Sequence, residues 1–278
     1  MFRETLEAAL IVGIVLGYLS RSKQSAYNMS VYAGIAAGVI FSILGALAFN
    51  WLAGGFSGRR EEIFEGITML VGAGLLTTMI FWMMQQKRIS ANLEKKVNQS
   101  LSQSQRIGLF FLVFVAILRE GIESVIFLGA ARFSGGENSL IGALIGVLGA
   151  VLLSYLLMVG SVRLDLRKFF AVTNTVLILF AAGLIAHGFH ELQEAGVFPV
   201  IVEHVWDINP SVPSDGSYPL LHENGYLGSI LKGLLGYNGN PSLLEVLFYA
   251  VYIISVTYRG VTIERKTKKA KPVLKQAS

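Results

Sequence analysis

The 278-residue chain contains no cysteine, which excludes disulfides, thiolate metal sites and thiol redox chemistry. Any metal it handles must be held by oxygen or imidazole. Charge is scarce as well: 15% of the residues are Asp, Glu, Lys or Arg, 53% are hydrophobic and the mean hydropathy is +0.59. That balance is far from a soluble domain of this length, and a lipid bilayer is the natural solvent. A basic leader ahead of the first apolar block is also missing, because the block opens with Arg3, Glu4 and Glu7. No cleavable signal peptide is evident, and this block is expected to stay in the mature protein. The net charge of +5 could suggest nucleic acid, but the excess sits in short loops and one terminal tail, where it sets membrane orientation.

The apolar residues are gathered into blocks near 2–19, 30–52, 62–84, 107–130, 139–161, 169–190 and 243–260, each about long enough to cross a hydrocarbon core, which takes ~20 helical residues. The fold class expected is therefore an all-α integral membrane protein with seven transmembrane helices. Arg21 and Lys23, then Lys87, Arg88, Lys95, Lys96 and Arg106, then Arg163, Arg167 and Lys168 make alternate loops basic, and the tail adds Arg265, Lys266, Lys268 and Lys269. By the positive-inside rule these loops face the cytoplasm, with the N-terminus outside and the C-terminus cytoplasmic. The segment after the sixth span carries Glu191, Glu194, Glu203, Asp207, Asp215 and Glu223 against Lys232 alone and is expected outside. Leu227, Ile230, Leu231 and Leu234 predict a short helix near 226–236 within it. Trp51, Trp82, Tyr249, Tyr252 and Tyr258 lie toward span ends, where an aromatic belt is expected.

An internal repeat organises the chain. Arg3-Glu4-x-x-Glu7-x5-Gly13 matches Arg119-Glu120-x-x-Glu123-x5-Gly129, and each copy is followed by a helix with paired glycines, Gly34/Gly38 and Gly142/Gly146. The expected organisation is a first three-helix repeat over 1–84, a polar cytoplasmic linker over 85–106 and a second three-helix repeat over 107–190. An extracytoplasmic loop over 191–242, the seventh helix over 243–260 and a basic cytoplasmic tail over 261–278 complete it. Three helices are an odd number, so the second repeat enters the membrane inverted, the arrangement that places transport sites near the midplane. The paired glycines are read as scaffolding that lets helices pack closely.

On a helix, Glu4 and Glu7 share a face and Arg3 can reach Glu7; the same holds for Glu120, Glu123 and Arg119. Ionisable groups inside a span cost at least ~2.5–3.5 kcal/mol each on insertion scales, so three within five residues demand a reason. A structural Arg–Glu network is the bland explanation, but the acids outnumber the arginines. Glu4, Glu7, Glu120 and Glu123, with neither cysteine nor histidine beside them, form a hard oxygen set suited to Fe(III), Mg(II), Ca(II) or Mn(II). Arg3 and Arg119 are its charge partners. Such carboxylates titrate as a coupled set, and metal binding is expected to release protons. Two further Glu-x-x-Glu pairs, Glu62/Glu65 and Glu191/Glu194, are placed near the outer mouth as secondary metal-capture residues, with His187, His190, His204 and His222 on the same side. For Glu61 and Glu62 the competing explanation is the helix dipole, which favours acids in a first turn.

With these residues in view, RETLEAALIVG and REGIESVIFLG resemble the motifs of the Ftr-type high-affinity iron permeases of the oxidase-dependent iron transporter family. REEIFEGITML, HELQEAG and GYNGNPSLLEV are similar to segments of its bacterial members. The resemblance implies seven spans with an external N-terminus, Fe(III) as the transported substrate, and Glu4, Glu7, Glu120 and Glu123 as the iron-handling carboxylates beside Arg3 and Arg119. It also implies a partner that oxidises Fe(II): a multicopper ferroxidase in fungi, or periplasmic iron-binding and peroxidase-like proteins in bacteria. Only Met1 and Phe2 precede Arg3, fewer apolar residues than family members carry there, so the start is expected to be truncated.

The expected function is a permease in the bacterial cytoplasmic membrane, without enzymatic activity, intrinsic cofactor or nucleic-acid partner. The rival within transport is another heavy-metal cation such as lead. The rival from another class is an intramembrane carboxylate di-iron enzyme, disfavoured because that chemistry usually adds a Glu-x-x-His pair and neither Arg-Glu-x-x-Glu helix contains histidine.

Overall fold

The computed structural model describes residues 1–85, 105–134, 144–152, 166–213 and 217–275, and every regular element among them is helical. α1 spans Phe2–Arg21, α2 Asn28–Ala53 after a 3-10 turn at Ser25–Tyr27, α3 Arg59–Gln85 and α4 Gln105–Phe133. The helical segment 144–152 is α5. α6 spans Leu166–Glu194, α7 Tyr226–Leu235 and α8 Leu243–Lys275. The short helix expected near 226–236 is α7, closed by Gly236 in the left-handed conformation (φ 70°), which a residue lacking Cβ adopts without strain.

By length and composition, four stretches qualify as membrane spans: Ser25–Ala53, Arg59–Trp82, Val172–Glu194 and Leu243–Ile263. α1 and α4 coincide with two more of the apolar blocks, but Arg3, Glu4 and Glu7, and Arg119, Glu120 and Glu123, lower their apolar character. The residues expected to be functional are thus the ones that weaken the span signal. Most of the block at 139–161 and of the linker at 85–106 lies outside the described residues. Helix continues through 261–275 as the end of α8, over residues expected to form the basic tail.

The described helices divide into two compact units. One holds α1, α2, α4 as far as Leu128, and α5; the other holds α3, the end of α4 from Gly129, α6, α7 and α8. Both Arg-Glu-x-x-Glu motifs therefore lie in one unit, with α2 and α5.

In lipid the hydrophobic effect gives helices little reason to associate, so close van der Waals packing has to do it, and small residues at the contacts make that packing close. In the first unit, Val15 and Leu19 of α1, Val31 of α2 and Leu109, Val113 and Ile117 of α4 form one buried cluster. A Cβ on Gly38 would lie 2.8 Å from the Ile117 side chain and 3.3 Å from the Leu118 backbone, and one on Gly146 would lie 3.2 Å from the Phe2 backbone and 3.6 Å from Met1 Cβ. Ile117 and Leu118 are the two residues before Arg119; Met1 and Phe2 are the two before Arg3. α2 thus rests Gly38 on α4 just ahead of Arg119, and α5 rests Gly146 on α1 just ahead of Arg3. The outward residues of α2, among them Ile40, Ile43, Leu44 and Leu47, are exposed and apolar, as a lipid-facing surface requires.

In the second unit, α3 and α6 touch at Gly66 and Gly188, where a Cβ on Gly66 would come within 2.8 Å of the Gly188 carbonyl. α8 is tied to α6 by stacked Phe189 and Phe248 rings, 3.6 Å apart, and to α3 by a Thr77–Tyr252 hydroxyl hydrogen bond of 2.7 Å. The Tyr249 hydroxyl donates to the Leu235 carbonyl at the end of α7 (2.9 Å). Two tyrosines expected in an interfacial belt therefore also join helices.

Candidate metal centres

The duplicated motif takes the same form twice. Arg3 Nε donates to Glu7 Oε1 at 3.1 Å, and Arg119 Nε donates to Glu123 Oε1 at 2.9 Å. Both are i, i+4 pairs on one helix face, as the spacing predicts. Glu4, Glu120 and Glu123 are buried, and the second carboxylate oxygens of Glu120 and Glu123 are buried without a hydrogen-bond partner among the described residues. A buried carboxylate oxygen left without a donor is costly, a cost that either a proton or a cation relieves. The two helices bring their acids into mutual reach: Glu7 interacts electrostatically with Glu4 and Glu123, and Glu120 with Glu7, Glu123 and Glu4. Gly121, inside the second motif, makes the approach of α2 feasible, since a Cβ there would overlap the Ser42 side chain.

The two outer pairs also come together, in the second unit. Glu62 and Glu65 lie in the first turns of α3, and Glu191 and Glu194 close α6. The Gly66–Gly188 contact sets them side by side, so that Glu191 interacts electrostatically with Glu65, Glu194, His190 and Glu62. Arg132, at the end of α4, offsets part of the charge at Glu65.

The four histidines, expected on one side, divide by role. His190 is bonded on both ring nitrogens, Nε2 to Glu194 Oε1 at 3.3 Å and Nδ1 to Glu245 Oε1 at 3.0 Å. His187, one turn earlier, is buried with Nδ1 on the Gly183 carbonyl (3.1 Å) and Nε2 without a partner among the described residues. His204 Nδ1 bonds the Asn240 carbonyl, and His222 Nδ1 accepts from the Asn224 amide, so each is tied to loop backbone through Nδ1. Among the described residues, no three His, Asp or Glu side chains stand close enough together to hold an ion at once.

Glu245 is the residue that reading the motifs missed. It is 1% exposed and lies at the third position of α8, where Ser242-x-x-Glu245 makes a capping box. Glu245 Oε1 accepts from the Ser242 amide at 2.9 Å, and the Glu245 amide donates to Ser242 Oγ at 3.4 Å. Asn238 Nδ2 donates to Glu245 Oε2 at 2.7 Å. The Ser-x-x-Glu signature opening an apolar run is readable in sequence; its contact with His190 is not.

Long apolar helices that carry paired acids in buried positions define a multi-pass membrane transporter. The chain belongs to the iron permease FTR1 family, which its residues 1–267 match. It is 34% identical over 258 residues to the ferrous iron permease EfeU of Yersinia pestis, covering 91% of this chain and 88% of the relative. It is 33% identical over 258 residues to the ferrous iron permease EfeU of Escherichia coli O6:K15:H31, covering 91% and 90%. No solved structure matches. The family and these bacterial relatives make the chain an iron permease of a bacterial membrane, a transporter rather than an enzyme.

Proposed function

We propose that this permease carries Fe(III), generated outside by a partner oxidase, across the cytoplasmic membrane on Glu4, Glu7, Glu120 and Glu123. The observation that carries this reading is the pair of equivalent Arg–Glu bonds on α1 and α4, each beside a further buried glutamate. In the empty state Arg3 and Arg119 each occupy one oxygen of the second glutamate and offset charge that lipid would otherwise make expensive. An arriving cation engages the remaining oxygens of these acids a pair at a time, and hard carboxylate oxygen suits Fe(III).

The proposed topology has seven spans, an outer N-terminus and a cytoplasmic C-terminus, with two inverted three-helix repeats over 1–84 and 107–190 and a seventh helix. The reciprocal seating of Gly38 before Arg119 and Gly146 before Arg3 supports it, because related halves pack by related contacts. Glu62, Glu65, Glu191 and Glu194 then form an outer capture station. The partner is a ferroxidase, either a multicopper enzyme or a periplasmic iron-binding or peroxidase-like protein.

The relatives' names favour a second reading, in which Fe(II) itself is the ion taken up. Radioactive iron uptake into proteoliposomes, supplied with Fe(III) or with Fe(II) with and without an added ferroxidase, separates the two. Uptake of Fe(II) only with the oxidase supports Fe(III) transport; full uptake of Fe(II) under reducing conditions overturns it. Glu120→Ala and Glu123→Ala at matched abundance are expected to abolish uptake, and unchanged uptake would reduce the motifs to structural ion pairs.

A further inference from the structure

We propose that His190 is a metal ligand of the outer station, binding through Nε2 together with Glu194, and that Glu245 is the positioning residue that aims it. The inference rests on the reading of Glu191 and Glu194 as a capture pair and adds to it a nitrogen donor.

His190-Glu191-x-x-Glu194 has the same form as Arg3-Glu4-x-x-Glu7 and Arg119-Glu120-x-x-Glu123. In all three the cationic residue bonds the acid four residues on. Arginine in that position can only neutralise, because a guanidinium has no lone pair to give. Histidine has one, if the other ring nitrogen carries the hydrogen. That hydrogen is fixed here from α8: Glu245 Oε1 lies 3.0 Å from His190 Nδ1, and a carboxylate already accepting from Ser242 and Asn238 acts as an acceptor. The Nδ1 proton is therefore held by Glu245, and a metal ion takes the place of the Nε2 proton that otherwise faces Glu194, which is the carboxylate–histidine–metal arrangement of metalloproteins.

The separation on the open side fits as well. Nε2 and Glu194 Oε1 stand 3.3 Å apart; two donors each about 2.1 Å from one ion subtend an angle of about 100° at that separation. The ion replaces the Nε2 proton between the two groups, which is released to solvent, without moving either donor. Both side chains remain partly exposed, 42% and 55%, whereas Glu245 is sealed behind them, so an ion can reach the pair from solvent. With no third protein donor close enough among the described residues, water completes the shell, and such a site holds an ion loosely enough to pass it on.

The test uses full-length protein purified in detergent without a polyhistidine tag, titrated with Mn(II) and followed by electron spin echo envelope modulation, which detects nitrogen bound to the metal. Wild type is expected to show imidazole nitrogen modulation that His190→Gln abolishes and that His204→Gln and His222→Gln retain. Glu245→Gln is expected to weaken Mn(II) binding about tenfold, the usual effect of losing a supporting carboxylate. Ser242→Ala, which disturbs the same capping box but leaves the His190–Glu245 contact, should stay within about twofold. Nitrogen modulation that persists in His190→Gln, or a wild type without it, overturns the inference. Iron uptake measured on the same variants separates the two ideas. Modulation dependent on His190 alongside normal uptake by Glu191→Gln and Glu194→Gln would support this site while removing the outer pairs from the transport route.

Discussion

The two carboxylate centres use the same four-residue geometry with different cations, and the difference separates holding charge from offering a ligand. At the α1/α4 centre the cations are arginines, which stay charged and cannot coordinate, so any ligands offered there are oxygens. At the α3/α6 centre the equivalent place is taken by His190, held by Glu245 from a third helix. The first centre buries Glu4, Glu120 and Glu123, while at the second Glu194 is more than half exposed. Burial makes the first centre dependent on its ion pairs, and exposure makes the second accessible.

The largest effect expected from this contrast lies in uptake kinetics. Glu123→Ala should reduce the maximal rate of iron uptake by about 100-fold or more, the consequence of losing roughly 2.7 kcal/mol of stabilisation along the proposed route. Glu194→Ala should leave the maximal rate within about twofold and raise the half-saturating iron concentration about tenfold, since a capture station sets occupancy rather than passage. Uptake measured over a range of iron concentrations decides it. Equal loss of maximal rate in both variants would erase the distinction between the centres.

A smaller effect concerns how the acids of the second centre are brought together. Gly66 meets the Gly188 carbonyl at 2.8 Å from where a Cβ would stand, whereas nothing lies within 4 Å of a Cβ at Gly74 on the same helix. Gly66→Leu should lower stability by about 1–3 kcal/mol through overpacking, and Gly74→Leu should change it by about 0.5 kcal/mol or less. Thermal unfolding in detergent reads both. Comparable effects at the two glycines would mean that α3 and α6 do not depend on this contact, and that Glu65 and Glu191 are brought near by something else.

Much of this was legible in the sequence because its physics is local. Arg3–Glu7 and Arg119–Glu123 follow from helical spacing alone, and α7 from the recurrence of Leu227, Ile230, Leu231 and Leu234. The pairing of Gly38 with Ile117 was beyond reach: a glycine announces a close contact without saying with what. The same limit hid Glu245. Ser242-x-x-Glu245 is a visible cap signature, and its ordinary explanation is sufficient, so nothing in the chain marks the acid as a partner for a histidine 55 positions away. Charge had the opposite effect in α1 and α4, where the motif acids dilute the apolar pattern that identifies a span.

The smallest expected effect tests whether the cap that holds Glu245 is more than local. Ser242 Oγ donates to Gln193 Oε1 at 2.8 Å and accepts from the Glu245 amide at 3.4 Å, so one hydroxyl links the end of α6 to the start of α8. Ser242→Ala removes both bonds in a buried place and should lower stability by about 1 kcal/mol, the usual cost of a lost cap. Gln193→Leu removes the other partner while also freeing the Pro199 carbonyl from the Gln193 amide. If the α6–α8 link carries the effect, the double variant should be less destabilised than the sum of the two singles, because both delete the same bond. Strict additivity in thermal unfolding would instead confine Ser242 to its own helix, and leave the stacked Phe189 and Phe248 rings as the contact that sets His190 against Glu245.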